Sequence, residues 1–510
     1  MSSHQNSWGK AFASYLDGRS ITLFFLGFSA GIPILLIFSS LSLWLREAGV
    51  DRSTVTMFSW AALAYSFKFV WAPLIDSLQL PLLGRLFGKR RSWLLLAQVL
   101  IVAAICLMAL INPVDKHALT VMAAAAVLLG FSSATQDVVI DAYRIEVAKG
   151  DDAMQSVTAA TYNAGYRIGM IVAGAGALFL ASWLGSKEGA YLYEAWRHTY
   201  LIMALTMGAG IVTTLLCREP DVSDRHSEAP LRSGDNFRLL LLFVFMAAAF
   251  VAAFAFSGTF LPATESVLGT FLIEAVRLLI GACAAAAACV LTVKSGLVPA
   301  GLAKTTWLDP VMDFFHRYGK SALLLLALIG VYRISDIVAG VISNVFYQDL
   351  GFSKEDIAAA VKTFGLIMTI AGGFLGGLLA QRFSLMKMMM LGGVLASATN
   401  LMFVVLANRG QDMALMYTAV AFDNLAAGLA GAVFIAFLSA LTNIRFTAVQ
   451  YAIFSSLMTL LPKVLGGYSG TIVDKVGYQN FFLFTAILGL PVLVLVYLVD
   501  KKIFQKQIRD

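Results

Sequence analysis

Long apolar stretches separated by short polar loops make up most of this 510-residue chain. Each stretch holds about 20 to 25 residues, which is the length that an α-helix needs to cross roughly 30 Å of hydrocarbon. A membrane-spanning β-strand would be shorter and would alternate apolar with polar residues. The pattern therefore predicts fourteen spanning helices, near residues 21–45, 54–78, 92–111, 118–143, 155–184, 196–217, 237–257, 266–293, 321–347, 356–380, 385–407, 412–441, 447–472 and 480–500.

The overall composition excludes a water-soluble globule. Hydrophobic residues make up 59% of the chain and charged residues 13%, which leaves too little polar surface to cover a soluble protein of this size. The first 20 residues are polar, and the apolar run after them lacks a small-residue cleavage site, so we expect a retained helix rather than a signal peptide. The four cysteines form neither a disulfide framework nor a metal-binding CxxC pattern.

Basic residues collect in loops on one side of the predicted membrane. They are Lys10, Arg19, Arg85, Lys89, Arg90, Arg91, Arg218, Arg225, Arg232, Arg238, Lys501, Lys502, Lys506 and Arg509. Because short cytoplasmic loops carry an excess of Lys and Arg, this side is predicted to be cytoplasmic. An even number of spans places both termini there. The net charge of +7 is thus a topology signal, and no polar basic module for nucleic acid is visible.

Two loops match each other at an offset of 302 residues. They are "LREAGVDRSTV" from Leu45 and "YQDLGFSKEDI" from Tyr347. Each reads as a helix end, an acidic residue, a turn glycine and a cap that opens the next helix. A single short match also arises by chance, but here it agrees with the span count. The sequence predicts a duplication of six helices, with two additional spans inserted between the copies.

Six plus six helices is the all-α layout of the major facilitator transporters, whose substrate site lies between the halves near the midplane. The predicted units are an N-terminal bundle (1–218), an inserted segment (219–320) and a C-terminal bundle with a cytoplasmic tail (321–510). The inserted segment holds a polar linker, an Ala-rich hairpin suited to close helix packing, and an interfacial helix that begins at Asp309 and Pro310. We expect the hairpin to be peripheral.

Aromatic rings surround an embedded cation in the second span. Trp60, Phe67, Lys68 and Trp71 fall on one helical face, and a buried ammonium beside such rings suits a sugar that bears an acid. The alternative is a lipid-facing surface from which Lys68 extends to the interface. Lys68 lies about ten residues from the predicted cytoplasmic end, roughly 15 Å by helical rise, which disfavours that alternative.

Acidic and basic residues share one face of the fourth span. Asp137, Asp141 and Arg144 are spaced by four and three residues. Asp137 is the deepest and is a candidate for proton exchange or for pairing with Lys68. Asp141 and Arg144 lie at the level of Asp76 and its basic loop, where we predict a cytoplasmic gate rather than a substrate site. We expect Asp76 to pair with Arg144 when that gate is closed.

Further polar residues are embedded in both halves. They are Tyr166 and Arg167 in the fifth span, Arg333 and Asp336 in the ninth, Asp423 and Asn424 in the twelfth, and Lys463 in the thirteenth. Cations at similar depth in both halves suit the carboxylates of a large anionic solute. The predicted substrate site is therefore Trp60, Phe67, Lys68, Trp71, Tyr166, Arg167, Arg333, Asn424 and Lys463.

Three buried carboxylates are predicted to carry protons: Asp137, Asp336 and Asp423. Alternating access can move a carboxylate between apolar and cation-lined surroundings, which hold and release a proton. The alternative is that all three are permanent salt-bridge partners. In particular, Arg333 and Asp336 can neutralise each other within one helix.

Enzymatic and metal chemistry find little support. All five histidines fall outside the predicted spans, so no intramembrane histidine metal site, no catalytic set and no cofactor is predicted. The glycines of "AGGFLGGLLA" indicate close helix packing. The rival functions are a drug exporter of the same fold, which would prefer a greasier cavity, and an intramembrane enzyme acting on lipid-linked sugars.

Seven blocks of sequence resemble the AmpG-type muropeptide permeases of the Gram-negative inner membrane. They are "SFKFVWAPLIDS", "GKRRSWLL", "SSATQDVVIDAYR", "GYRIGM", "YRISDIVAGVISNVFYQDLGFSKEDI", "FDNLAAGLAGAVFIAFLSALTN" and "FTAVQYAIFSSL". Together they cover about residues 18–218 and 307–500. The family's embedded charges match Lys68, Asp76, Asp137, Asp141, Arg167 and Asp336.

The resemblance implies proton-driven import of N-acetylglucosaminyl-1,6-anhydro-N-acetylmuramyl peptides, or of the disaccharide alone, for peptidoglycan recycling. It also implies a link to induction of chromosomal β-lactamase and a multi-pass position in the inner membrane, in contact with lipid. We expect a functional monomer. The inserted hairpin departs from shorter members of the family. From the residues alone, without the resemblance, we predict only a proton-linked facilitator for a polar, anionic solute.

Overall fold

The computed structural model describes residues 13–50, 58, 65, 68–186, 190–220, 233–262, 267–352, 354–466 and 469–505. The first half contains α1 (Gly18–Leu35), α2 (Leu41–Glu47), α3 (Ala72–Ser77), α4 (Leu83–Phe87), α5 (Lys89–Ala109), α6 (Lys116–Val147), α7 (Asp152–Ile171), α8 (Ala177–Trp183), α9 (Tyr193–Thr206) and α10 (Gly208–Leu216). The inserted segment contains α11 (Ser233–Phe260), α12 (Val267–Lys294), α13 (Ala300–Ala303) and α14 (Asp309–Tyr318).

The second half begins at α15 (Ala322–Val331) and α16 (Ile334–Asp349). It continues with α17 (Lys354–Ile357), α18 (Gly365–Ala380), α19 (Leu385–Arg409), α20 (Met413–Leu441), α21 (Thr447–Gly466) and α22 (Ser469–Val499). The backbone of α22 is not helical at Gly477, where the helix kinks. The helices follow the predicted spans closely because long apolar stretches in lipid must satisfy their backbone groups internally.

Eleven helices in the described part of the chain are long and apolar enough to cross a membrane. The predicted spans near 54–78, 266–293 and 447–472 are not among them. Most of the first lies outside the described residues. The other two form α12 and α21, which border residues outside the described part.

Several of the described spans depart from regular α-helix. A π-helical turn at Leu36–Ser40 joins α1 to α2, and another at Val172–Gly176 joins α7 to α8. The Ser40 hydroxyl donates to the Ala173 carbonyl at 2.7 Å, so these two turns lie together. The ninth span breaks between Val331 and Ile334. Interrupted helices near the midplane are typical of transporter binding sites.

Glycines bring helix backbones into direct contact within each half. In the first half, a Cβ at Gly165 would overlap the Phe24 carbonyl, so α1 and α7 pack backbone to backbone. In the second half, a Cβ at Gly372 would overlap the Leu425 carbonyl, which closes α18 against α20. The packing role predicted for the "AGGFLGGLLA" glycines is thus confirmed.

Each half has its own apolar core. In the first, the Trp44 and Trp196 rings stack with centroids 5.8 Å apart. In the second, Phe346 packs edge-on against Phe482 at 4.8 Å. The halves meet where α7 packs on α18 and α20, and where α21 packs on α3 and α6.

The inserted segment is anchored at its base. Leu239 of α11 is buried in the core of the first half, and Leu242 is buried with Val298. Beyond that point, α11 and α12 pack mainly on each other. The hairpin is therefore attached to the first half at one end. The boundaries of the three units remain predictions.

Candidate functional site

A polar layer lies between the two halves, bounded at one end by contacts that join them. We call the end of the bundle where α1 begins the terminal end. The layer contains most of the described residues that the sequence singled out. Trp60 and Phe67, and the side chain of Lys463, lie outside the described part of the chain.

Lys68 forms an ion pair with Asp141, with Nζ 3.5 Å from Oδ2, and both side chains retain 12% exposure. Arg144 approaches the other oxygen of Asp141 at 3.8 Å. The ion-pair partner of Lys68 is therefore Asp141, whereas the sequence had suggested Asp137 for this role. One turn deeper, Asp137 is buried, and among the described residues its Oδ1 atom has no hydrogen-bond partner.

Three tyrosines surround the Asp137 carboxyl. Tyr65 donates to the Ser133 hydroxyl at 2.7 Å, and the Tyr162 and Tyr166 rings lie 5.9 Å apart. All three interact electrostatically with Asp137. The sequence singled out only Tyr166. Tyr162 lies four residues earlier and so on the same helical face, which is a signal that was available.

Trp71 contributes to an apolar layer. Its Nε1 donates to the Thr135 hydroxyl at 3.1 Å, and its ring lies 4.8 Å from that of Phe131. It also lines an apolar cavity of about 100 Å³ together with Phe243 of α11. A solute-binding role for Trp71 stays a prediction.

Each half contributes one guanidinium group to the polar layer, Arg167 in the first and Arg333 in the second. Arg333, at the break in the ninth span, interacts electrostatically with Arg167 of α7. Arg333 is paired with Asp336 through Nε at 3.0 Å and through Nη2. The neutralisation considered from the sequence is therefore present, but the Arg333 side chain retains 29% exposure. Arg167 also interacts electrostatically with Tyr166, its neighbour on α7.

The remaining predicted residues of the second half are held by hydrogen bonds. Thr399 donates to Asp423 at 3.2 Å, and Asp423 interacts electrostatically with Arg333 and Asp336. Among the described residues, Oδ1 of Asp336 has no hydrogen-bond partner. The Asn424 amide accepts from Thr369 and donates to a backbone carbonyl one turn earlier. Its polar atoms are thus engaged within the second half.

A buried charge triad lies at the terminal end. Arg90 binds Asp76 and Glu146, each at 2.7 Å, and all three side chains are at most 3% exposed. The other oxygen of Asp76 accepts from the Val449 backbone amide of α21 at 3.0 Å. Arg90 and Glu146 were missed because the sequence assigned Arg90 to a solvated basic loop.

Arg144 also reaches the second half. Its Nη1 donates to the Ser439 hydroxyl at 2.9 Å, and its guanidinium lies over the Tyr451 ring at 5.1 Å. The predicted pairing of Asp76 with Arg144 is therefore wrong. Each of the two binds the opposite half separately, because the first turn of α21 offers its Val449 amide to Asp76 while Ser439 of α20 accepts from Arg144.

Two more hydrogen bonds cross between the halves at the same end. The Tyr15 hydroxyl donates to the Phe374 carbonyl at 2.5 Å, and the Ser14 hydroxyl donates to Gln381 at 3.1 Å. Together with the contacts of Asp76 and Arg144, they hold the halves in direct contact at the terminal end. No group of three His, Cys, Asp or Glu residues within the described ranges has a geometry suited to a metal ion.

Comparison with known proteins places this arrangement in a family. The protein-family model described as Major Facilitator Superfamily matches residues 20–306 and 324–509 of this chain. An Escherichia coli K12 protein named anhydromuropeptide permease is 30% identical over 494 residues, which cover 96% of this chain and 82% of the relative. A Rickettsia felis protein named putative transporter AmpG 4 is 29% identical, with 96% and 98% covered.

Solved structures agree on the fold. The proton:xylose symporter XylE bound to 6-bromo-6-deoxy-D-glucose aligns with a TM-score of 0.58 at 13% identity, covering 96% of each chain. The transporter FucP in the outward conformation aligns with a TM-score of 0.56 at 11% identity, covering 95% of this chain and 99% of that one. The all-helical, two-half layout predicted from the sequence is confirmed.

Proposed function

Because the chain belongs to the Major Facilitator Superfamily and, within it, to the AmpG-type permeases, we propose that it imports anhydromuropeptides across the bacterial inner membrane, driven by protons. It is a multi-pass membrane transporter from a family of transporters, not an enzyme. The proposed solutes are N-acetylglucosaminyl-1,6-anhydro-N-acetylmuramyl peptides and the same disaccharide without a peptide.

The electrostatic interaction between Arg167 and Arg333, one from each half, carries this proposal. Two like charges brought together between the halves repel each other in a medium of low dielectric constant. An anion placed between them would relieve that repulsion and would accept bidentate hydrogen bonds from both. Because the pair draws one cation from each half, such a solute would bind both halves at once. Muropeptides carry carboxylates of this kind on the peptide, and the disaccharide without a peptide carries one on its lactyl group.

The tyrosines around Asp137 suit the sugar part of the same solute. A tyrosine side chain offers an apolar aromatic face to a sugar ring and a hydroxyl group to the polar edge of that sugar. Tyr162 and Tyr166 lie on α7, the helix that also carries Arg167. The proposed site therefore combines cations for the acid with aromatic rings for the disaccharide. A drug exporter would instead need a more apolar cavity between the halves. No described contact of this polar layer favours that function.

Proton coupling is proposed for Asp137, Asp336 and Asp423. Asp137 and Asp336 each have a carboxylate oxygen without a hydrogen-bond partner among the described residues. An oxygen in this state offers a place for a proton. Asp336 and Asp423 lie beside Arg333, so a solute that binds Arg333 would change their surroundings. This arrangement supports a link between solute binding and protonation.

The contacts at the terminal end suit alternating access. The loops at this end are basic, and we propose that it faces the cytoplasm with both termini. A solute would then enter from the periplasm while the contacts of Asp76, Arg144 and Tyr15 hold the cytoplasmic side closed. Delivery inside would feed peptidoglycan recycling and, through the imported fragments, induction of β-lactamase.

Uptake of radiolabelled anhydromuropeptide into membrane vesicles tests the proposal. Wild-type vesicles should take up the label, and unlabelled muropeptide should compete, whereas xylose should not. Arg167→Ala and Lys68→Ala should lower uptake at unchanged protein level. Lys387→Ala, which alters an exposed cation, should behave as wild type. Absence of uptake by well-folded wild-type protein would reject the proposed solute.

A further inference from the structure

The segment just before the first span reaches into the second half of the molecule. A short helical turn at Ser14–Leu16 precedes α1. The Ser20 hydroxyl of α1 donates to the Ser14 carbonyl at 2.7 Å, and Asp17 caps α1 through the Arg19 amide at 2.8 Å. These bonds fix the turn to the first helix. The turn therefore moves with the first half.

Tyr15 extends from this turn onto α18. Its hydroxyl donates to the Phe374 carbonyl, and its ring lies 4.9 Å from the Phe374 ring. Beside it, the Ser14 hydroxyl donates to Gln381, which is buried. Burial raises the pKa of the Tyr15 phenol above its usual value. The hydroxyl thus remains a donor throughout the physiological pH range.

The surface of α18 is shaped to receive this side chain. A Cβ added at Gly377 would overlap the Tyr15 hydroxyl and would crowd Ser156 of α7. One turn earlier on the same helix, a Cβ at Gly373 would meet only a carbonyl 3.9 Å away. Gly377 thus provides the space that Tyr15 occupies, while Gly373 offers a matched position without that constraint.

The other side of the Tyr15 ring packs on the first half. Ala148, Met154 and Val157 form a small apolar cluster against it. Tyr15 is therefore wedged between the start of α7 and the end of α18, two helices that hold the halves together. When the halves separate at the terminal end, this position must open. The Tyr15 contacts to α18 must then break.

We propose that Tyr15 is a gate-positioning residue for transport, seated in the Gly377 socket when the terminal end is closed and released when it opens. It acts through helices α7 and α18 and does not touch the solute. This inference rests on the proposed transport cycle, but it adds a contact independent of the Asp76 triad and of Arg144. It also makes the segment before the first span part of the moving machinery.

A spin-label distance measurement tests the inference without any substrate. Labels at Leu86→Cys and Phe383→Cys, both exposed at the terminal end of opposite halves, are introduced into the full chain. The four native cysteines (Cys106, Cys217, Cys283 and Cys289) are replaced by serine. The short and long distances then report the closed and open terminal end.

Tyr15→Phe removes the hydrogen bond and keeps the ring contact, so the open-to-closed ratio should rise about fivefold. Tyr15→Ala removes both and should raise the ratio further. Gly377→Ala should do the same by displacing the hydroxyl, and combining it with Tyr15→Ala should add little. Gly373→Ala and Tyr497→Phe, which alters an exposed tyrosine elsewhere, should leave the ratio unchanged.

A reversible cross-link provides a second readout. Ser14→Cys and Gln381→Cys, in a protein without the label cysteines, should be joined by a short bifunctional thiosulfonate, which forms a disulfide with each thiol. The cross-link should stop muropeptide uptake, and reduction of the disulfides should restore uptake.

An unchanged distance distribution in Tyr15→Ala, or full uptake by the cross-linked protein, would overturn the inference. The distances do not depend on the solute. If distances shift but the uncross-linked protein takes up no muropeptide, the proposed function fails and the role of Tyr15 stands.

Discussion

The carboxylate of Asp76 accepts a hydrogen bond from the backbone amide of Val449, 3.0 Å away in the opposite half. Val449 lies in the first turn of α21, where backbone amides lack partners within the helix. The helix dipole also favours a negative charge there. Arg90 binds Asp76, and Glu146 binds Arg90. Closure of the terminal end therefore depends on a buried charge network of the first half.

Asp76→Asn should favour the open terminal end. A hydrogen bond to a charged acceptor contributes about 1.5 to 3 kcal/mol, against about 1 for a neutral one, so the closed-to-open ratio should fall by roughly two- to thirtyfold. The distance between labels at positions 86 and 383 measures this shift. Asp235→Asn removes a carboxylate from an exposed pair on α11 and serves as the control. An unchanged distance distribution in Asp76→Asn would count against a latch.

Arg144→Lys should also weaken closure, although the charge is kept. An ammonium cannot donate to Ser439 and lie over the Tyr451 ring with the geometry of a guanidinium. Ser439→Ala removes only the hydroxyl acceptor and should cost about 1 kcal/mol. Ser455→Ala, whose hydroxyl bonds within its own helix, should have no effect. Equal labelling distances in Arg144→Lys and wild type would argue for a purely structural Arg144.

The Arg333 and Asp336 pair can be tested by removing both charges. Arg333→Ala alone should abolish most uptake, but it also leaves a buried carboxylate without its partner, which is costly in itself. The double change Arg333→Ala with Asp336→Ala removes that cost. Because Asp336 is also a proposed proton carrier, the readout is exchange of preloaded solute, which Asp336→Asn alone should retain. If Arg333 binds the solute, exchange stays low in the double variant while expression recovers. Recovery of exchange to the wild-type rate would mean that the pair only neutralises itself.

The inserted hairpin should be dispensable for transport, whereas the helix that follows it should not. Replacing residues 236–296 with a flexible linker removes the buried Leu239 and Leu242, which together contribute about 3 to 6 kcal/mol of burial. The deletion should therefore lower thermal stability but leave measurable uptake. Arg317→Ala should impair uptake more, because Arg317 ties α14 to Gln450 of α21 at 2.9 Å. Loss of transport in a well-folded deletion would make the hairpin part of the mechanism.

Apolar periodicity and length were sufficient to predict most helices, because a bilayer permits few alternatives for the backbone. Embedded charges also identified the polar layer, since such charges seldom face lipid. The pattern cannot specify which partner each charge takes. Lys68 pairs with Asp141 rather than Asp137, because one helical turn separates the two acids and only the packing of α6 against the second span decides between them.

Contacts between the halves were the least predictable part. Asp76 binds α21, and Arg144 binds α20. In both cases the two partners are more than 290 residues apart along the chain. Tyr15 lies in a polar segment that no periodic pattern distinguishes. Such contacts depend on the docking of two preformed bundles and carry no local sequence signal. The arrangement of side chains at the gate therefore could not be predicted from the sequence.

Uptake of radiolabelled anhydromuropeptide into proteoliposomes under an imposed proton gradient tests the central claim most directly. The wild-type protein should concentrate the label, and a protonophore should abolish accumulation. At least one of Asp137→Asn, Asp336→Asn and Asp423→Asn should lose concentrative uptake yet still exchange preloaded solute. Accumulation that survives the protonophore, or that all three variants retain, would contradict proton-driven import through these carboxylates.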